Sequence, residues 1–407
     1  MFQRHPGMER CFDLKIAMIG QKKVPSRMGG VEVAVGALAE RMAARGHKVT
    51  LYNRHRCSFR KRKETEKCRK HKGVLIREVW VPDIAGISAA AGSFFATLLA
   101  LRGKYDCIHY HAEGPAAMCF LPGLFGIRTV VTIHGLDWKR SKWGGFASWY
   151  LKQGEKAAAA WADEVIVLSR SAQKYFQDTY HRTTVMIPNG IQRPEKKGSE
   201  EIGARWGLKK EGYILFLGRI VPEKGLETLI QAFRQVDTDK KLVIAGGSSD
   251  TDVFIKKLKE EAQGDPRILF TGFVQGEILE ELYSNSYLYC LPSNLEGMPI
   301  SLLEAMSYGN CCLCSDIPEC AEVMEELGFL FRRGDRESLR ASLQILCQRP
   351  DLVEESRKKV TDSIFEKYDW DKITEQTLAL YQRAINKKRK KHRRDKGRRK
   401  IESSDGE

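Results

Sequence analysis

Short apolar runs alternate with amphipathic segments along this chain, stop once, and start again. That pattern limits the fold more than any other feature. "LKIAMIG" (14–20), "HKVTLY" (47–52), "YDCIHYH" (105–111), "RTVVTIHG" (128–135), "DEVIVLS" (163–169) and "TVMIPNG" (184–190) read as strands. "VEVAVGALAERMAARG" (31–46) between the first two has helical period and closes on Gly46, a residue suited to a left-handed helix end. Strands separated by helices need right-handed crossovers, and crossovers make a parallel sheet. Residues 193–212, "RPEKKGSEEIGARWGLKKEG", are polar and glycine-rich and read as a linker with one helical turn. The alternation resumes with "YILFLGR" (213–219), "KLVIAGG" (241–247), "RILFTG" (267–272), "SYLYCLPS" (286–293) and "CCLCSD" (311–316). The expected fold class is α/β: two Rossmann-like domains, 1–192 and 213–364, whose parallel sheets face a shared cleft. Ligands in such sheets bind at the carboxyl ends of the strands.

The formal charge of +16 over 407 residues suggests a nucleic-acid partner, but its distribution does not. Residues 387–400 hold eleven Lys and Arg against one Asp, and residues 54–72 hold ten against two Glu. The rest of the chain is close to neutral. The 387–400 run lacks aromatics and any nucleic-acid motif, so no specific nucleic acid is expected. A basic, disordered tail of this kind suits an anionic membrane surface, at about 1 kcal/mol per charge. The 54–72 segment reads as a charged loop that could meet the same surface.

Eleven cysteines, several in strand-like runs (Cys290, Cys311, Cys312, Cys314), and no apolar leader at the start fit reduced, buried thiols in a cytoplasmic protein, peripheral on the inner face of the plasma membrane if the basic segments bind it. His55, Cys57, Cys68 and His71 lack the spacings of a zinc site. The tripeptides Asp237–Asp239 and Asp250–Asp252 lie away from the motifs below, and no metal is expected. "IAGISAAAGSFFATLLAL" (84–101) carries no charge but is rich in small residues. It reads as a domain helix, or a membrane-surface helix, before a span.

The chemistry gathers at strand ends. "LGRIVPEKG" (217–225) leaves its strand with Arg219 and Lys224, two cations fit for an anionic ligand. "NLEGMPISLLEA" (294–305) carries Glu296 in a loop and Glu304 in the second turn of a helix that begins near Pro299. The free N–H groups near Met298–Ile300 attract phosphate. "VPSRMGGVEVAV" (24–35) places Gly29 and Gly30 where a phosphate could approach backbone. "TIHGLDWKR" (132–140) puts His134 at a strand end, a residue able to contact a hydroxyl or move a proton.

Taken in order, Gly29-Gly30, His134, the G-R-x-x-x-x-K-G stretch at 218–225 and E-G-x-P-x-x-x-x-E-A at 296–305 resemble the motifs of retaining glycosyltransferase family 4, the nucleotide-sugar-dependent group with the GT-B fold. The likeness spans about residues 14–385, and "HGLDWKRSKWGG" (134–145) is similar to members that build bacterial capsule, exopolysaccharide or O-antigen, rhamnosyltransferases among them. The resemblance implies that Arg219 and Lys224 bind the donor diphosphate and that Glu304 binds the ribose. It implies that Glu296 and the backbone near Met298 and Pro299 hold donor-sugar hydroxyls, with Phe273 and Val274 beside the base. Gly29 and Gly30 close over the phosphate, His134 lies by the sugar, and Trp138 and Arg140 face the acceptor on the N-terminal side. Helices at about 365–385 cross back to the N-terminal domain. The nucleotide sugar is a substrate, and no cofactor is expected. The implied activity is sugar transfer to a glycan or lipid-linked acceptor, hexosyl or deoxyhexosyl, without metal. A GT-B-fold sugar-nucleotide epimerase is the alternative, and a nucleic-acid-binding protein using the basic tail a more distant one.

Overall fold

The computed structural model describes residues 13–56, 68–82, 87–140, 144–247 and 252–402. The N-terminal sheet has eight strands: β1 (Lys15–Ile19), β2 (Lys48–Arg56), β3 (Arg69–His71), β4 (Val74–Val81), β5 (Cys107–His111), β6 (Arg128–Ile133), β7 (Glu164–Val167) and β8 (Val185–Met186). Their order is β3-β4-β2-β1-β5-β6-β7-β8, and all pair in parallel except β3, which runs antiparallel to β4. The second sheet holds β9 (Tyr213–Leu217), β10 (Lys241–Ala245), β11 (Ile268–Gly272), β12 (Leu288–Leu291), β13 (Cys312–Ser315) and β14 (Phe329–Phe331), in the order β11-β10-β9-β12-β13-β14. Strands such as "CIHYH" and "CLCS" are buried at every position, because helices cover both faces of a parallel sheet. This is why they read as unbroken apolar runs rather than as alternation. Cys290, Cys311, Cys312 and Cys314 are free and buried in the second core.

Several elements depart from the sequence reading. The basic stretch at 54–72 is not wholly a loop. Residues 54–56 finish β2, residues 69–71 form the edge strand β3, and residues 57–67 lie outside the described residues. His55 pairs with Glu78 and His71 with Glu40, which occupies two members of the zinc-like set, while Cys57 falls outside the described residues. The supposed linker carries a helix, Glu200–Trp206, whose Ile202 joins the C-terminal core. The uncharged stretch, by contrast, follows the reading: it forms a domain helix, Ile87–Leu101, against β4. Among the described residues no helix is long and apolar enough to cross a membrane. The last helix runs from Trp370 to Glu402, so the basic run continues it as helix instead of forming a disordered tail.

The chain crosses between domains at two neighbouring points. Ile191 N–H donates to the Tyr368 carbonyl at 2.7 Å where the outgoing and returning segments meet. Helix Pro350–Lys367 packs Val353, Val360 and Ile364 into the C-terminal core. Helix Trp370–Glu402 instead sends Trp370, Ile373, Leu380 and Tyr381 into the N-terminal core. Trp370 lies on bare Gly190, where a Cβ would come within 2.6 Å of its ring, and Arg41 stacks over the indole at 5.8 Å. Emptying this socket with Trp370→Ala should cost about 3–5 kcal/mol of stability, as large core truncations do. Urea unfolding of the full chain would read the loss.

Candidate active site between the two sheets

In the second sheet the strand order reverses between β9 and β12, and the cleft opens at the carboxyl ends of those two strands. The turn after β9 supplies Arg219 and Lys224, and the turn after β12 supplies Glu296. Close glycine contacts hold the turns together. Gly225 sits at φ +66°, where a Cβ would strike the Pro292 carbonyl at 2.1 Å, and Asn294 N–H donates to the Glu223 carbonyl at 2.8 Å. Lys224 Nζ forms an ion pair with Glu296 Oε1, and Ser293 Oγ donates to the same oxygen at 2.6 Å. Both partners of this pair are largely buried. Glu304 lies in the second turn of the helix Ile300–Ser307, which begins just after Pro299. Its carboxylate takes Arg27 Nη2 at 2.5 Å and the Tyr283 hydroxyl at 3.2 Å. Burial pushes the Glu304 carboxyl up, and Arg27 and Tyr283 pull it back.

The first sheet meets this edge from the opposite side. Asn53 clamps the loop after β1: its Oδ1 accepts from Val24 N–H at 3.1 Å and its Nδ2 donates to the Val24 carbonyl at 2.9 Å. The loop ends on Gly29, the N-cap of helix Gly30–Ala44. Gly30 faces Ile300 so closely that a Cβ would lie 3.3 Å from the isoleucine Cδ1. Two helix N-termini, one from each domain, thus approach each other. The turn after β6 makes a tighter contact. A Cβ on Gly297 would lie 1.6 Å from the His134 carbonyl oxygen, and one on Gly135 would lie 2.9 Å from Gly297 Cα. Met298 Sδ accepts from Asn189 N–H at 3.1 Å across the same boundary.

His134 belongs to a file of three histidines. His134 Nε2 and His111 Nδ1 share a hydrogen bond at 3.1 Å, and the His111 ring lies 4.0 Å from that of His109. His109 in turn meets Thr132 Oγ1 at 2.7 Å and the Tyr381 hydroxyl at 2.6 Å. Burial lowers His134 to about 4, with Asp137 opposing, and lowers His109 to about 3. All three rings are therefore neutral near pH 7, so His134 can offer a hydrogen bond without bringing a charge.

The acceptor-side pair is only partly free. Trp138 Nε1 donates to the buried Glu155 at 3.0 Å, and Lys152 lies 4.1 Å from the centre of its ring. Arg140 Nε pairs with Asp137 at 2.8 Å. Burial, and secondarily the charge of Arg140, lower the pKa of Arg219. Ser141, Lys142 and Trp143 lie outside the described residues. Phe273 and Val274 leave β11: Phe273 is half exposed, with its Cβ near Gly247, and Val274 packs on the C-terminal core. Of the Asp-Thr-Asp tripeptides, Asp250–Asp252 lies largely outside the described residues.

Sequence reasoning missed three participants. Arg27 stood in the quoted glycine loop, two residues before Gly29, and an arginine there was the available signal. Tyr283 sits inside a helix and gave none. Glu113, just past β5, is buried and has no hydrogen-bond partner for either oxygen among the described residues. Burial, with Asp137 and Glu155 nearby, pushes its carboxyl well up, which favours the neutral acid.

A parallel sheet on each side of one cleft, cations and a helix N-terminus at the strand-order reversal, and a histidine facing them define a GT-B nucleotide-sugar enzyme. The sequence profile described as "Glycosyltransferase Family 4" matches residues 28–193, and "Glycosyl transferases group 1" matches residues 199–377. One profile covers each domain, and the chain belongs to this family of glycosyltransferases. It is 25% identical over 397 residues to an uncharacterized glycosyltransferase of Methanocaldococcus jannaschii, covering 91% of this chain and 99% of the relative. Sucrose-phosphate synthase from Thermosynechococcus elongatus has the same fold, with a TM-score of 0.79, 22% identity, and coverage of 92% and 99%. So does Anabaena HepE in complex with UDP-glucose, with a TM-score of 0.72, 17% identity, and coverage of 90% and 98%.

The histidine file sets a pH dependence. Unfolded histidine titrates near 6.5. Between about 6.5 and 4 the unfolded chain binds protons that folded His134 refuses, so stability falls as pH is lowered through that window. Thermal melting from pH 7 to 5 should show this slope. His111→Leu should flatten it by about one proton, because His111 is also held well below its ordinary value by burial.

Proposed function

We propose that the enzyme transfers a sugar, with retention and without a metal ion, from a nucleotide sugar to a glycan or lipid-linked acceptor at a membrane surface, in the assembly of a bacterial surface polysaccharide. The donor half of this reading is carried by one observation: Arg219, Lys224 and the N-terminus of helix Ile300–Ser307 converge at the β9/β12 reversal. The difficult event is rupture of the bond from C1 of the sugar to the phosphate oxygen. The electron pair leaves with the diphosphate, and fixed cations and N–H dipoles aimed at that charge lower the barrier. The acceptor hydroxyl oxygen then bonds to C1 as its O–H bond breaks, the proton passing to the oxygen of the departing diphosphate. Because Arg219 and Lys224 supply positive charge at that position, a divalent cation has no necessary task there.

Glu304 takes the ribose, giving up part of its contact with Arg27. Glu296 and the backbone at Met298 and Pro299 take sugar hydroxyls, and neutral His134 lies beside the ring. Gly29 and Gly30 lie over the phosphates, and Phe273 and Val274 border the base. Arg140 faces the acceptor, whereas Trp138 works chiefly as a wall, since its indole N–H is committed to Glu155. The membrane-side acceptor is supported by the basic run on the last helix, residues 387–400.

The two glutamates separate this reading from a purely structural one. Glu304→Gln meets a group that does not change during reaction and should weaken donor binding by about 1–2 kcal/mol. Glu296 lies where positive charge develops, so Glu296→Gln should lower kcat more than donor affinity. Donor Kd and kcat measured for both variants test this, with melting as the fold control; reversal of the two patterns would refute the assignment. Arg219→Ala should cost about 2–5 kcal/mol of transition-state stabilisation. Lys224→Ala should do the same, and it also strands the buried Glu296 carboxylate. Activity lost in EDTA and restored by magnesium or manganese would contradict the metal-free scheme.

A further inference from the structure

We infer that the outer face of the N-terminal domain formed by helices 87–101, 120–124 and 145–161 is a docking surface for an anionic lipid bilayer. This deepens the membrane-side acceptor proposed above and is independent of the donor site. Nine of the fourteen large apolar side chains exposed in the described residues lie on or beside these three helices. Helix 87–101 has no charged residue. It turns Ser93, Ala96 and Ala100 inward and leaves Phe94, Phe95 and Leu99 exposed, the two rings edge-on at 5.6 Å. Helix 120–124 and the residue after it expose Leu124 and Phe125 by about seven-tenths, 73% and 67%. Helix 145–161 exposes stacked Phe146 and Trp149 near its start and Trp161 at its end. The short helix touches both longer ones, so the three faces are continuous.

Charge selects the occupant. The chain has 52 acidic residues, yet segments 87–104, 120–126 and 144–161 hold one, Glu155, and it is buried. Their exposed charges are cations: Arg102, Lys104, Lys152 and Lys156. Phenylalanine, tryptophan and leucine interleaved with lysine suit the headgroup boundary of a bilayer. A second copy of this chain fits less well, because a two-fold interface would set these cations against each other with no exposed acid within the three segments. The same edge carries the basic helix. Glu164, three residues after Trp161, holds both Arg383 at 2.8 Å and Lys387 at 2.7 Å, so the helix passes this edge as its basic run begins.

The test is co-sedimentation of the full chain with phosphatidylcholine vesicles, with and without about 30% phosphatidylglycerol. Salt is set at about 0.1 M and then about 0.5 M, where long-range attraction is screened. Two variants are compared: L124E/F125E, and a truncation after Asn386. The wild type should retain binding to the anionic vesicles at the higher salt. L124E/F125E should lose about tenfold in binding at both salts, with unchanged melting and donor hydrolysis, since both residues are exposed and far from the donor site. The truncation should bind more weakly at the lower salt and like the wild type at the higher. Wild-type binding by L124E/F125E would overturn the inference, as would loss of wild-type binding at the higher salt. So would a wild-type dimer that L124E/F125E converts to monomer in sedimentation without lipid, which would make the face a self-association surface. Loss of donor hydrolysis in the Glu296 and Glu304 variants bears on the donor reading alone.

Discussion

The contact of Gly297 with His134 and Gly135 is the constraint on which the rest of the cleft depends. It is backbone on backbone, and a single added carbon on Gly297 would overlap the His134 carbonyl. Because no side chain intervenes, the turn after β12 and the turn after β6 are held at a fixed separation. Met298 on Asn189 and Gly30 on Ile300 extend the same seam on either side. With this seam closed, a neutral histidine from one domain and a helix N-terminus from the other border a single space. Any larger residue at 297 would separate the domains before it altered any charge.

Within that space the charges already have partners. Lys224 is joined to Glu296, Arg27 to Glu304, and Arg140 to Asp137. A charge buried without a partner would cost several kcal/mol, and this pairing avoids that cost. It also means that an anionic ligand exchanges partners instead of meeting bare cations. Arg219 differs: burial and the approach of Arg140 both work against its charged form, so it is the cation with most to gain from a diphosphate.

Much of this was legible in the sequence because its signals were local. Buried parallel strands show as apolar runs, and the Glu304 helix, expected to begin near Pro299, begins at Ile300. The failures have physical causes. β3 is exposed and charged, the signature of a loop, and it is a strand only because β4 lends it an edge. The helical turn expected in 193–212 is the helix at 200–206, but the polar composition hides that Ile202 anchors it in the C-terminal core. Arg27 and Tyr283 meet Glu304 from 277 and 21 residues away, pairings that no spacing rule reveals. The family resemblance implies that Trp138 faces the acceptor, and nothing local in the sequence shows that Glu155, seventeen residues on, takes its N–H.

The two chain crossings have a mechanical consequence. Ile191 and Tyr368 are tied by one hydrogen bond, so the outgoing and returning segments are pinned side by side. The helix that begins there, Trp370–Glu402, has 33 residues and so is about 50 Å long. Its first half is bolted to the N-terminal domain through Trp370, Tyr381 and the Glu164 clasp. It is therefore a spar belonging to one domain alone. A force on its basic end would be carried by the N-terminal domain alone and would reach the C-terminal domain only through the Gly297 seam and the Ile191–Tyr368 tie.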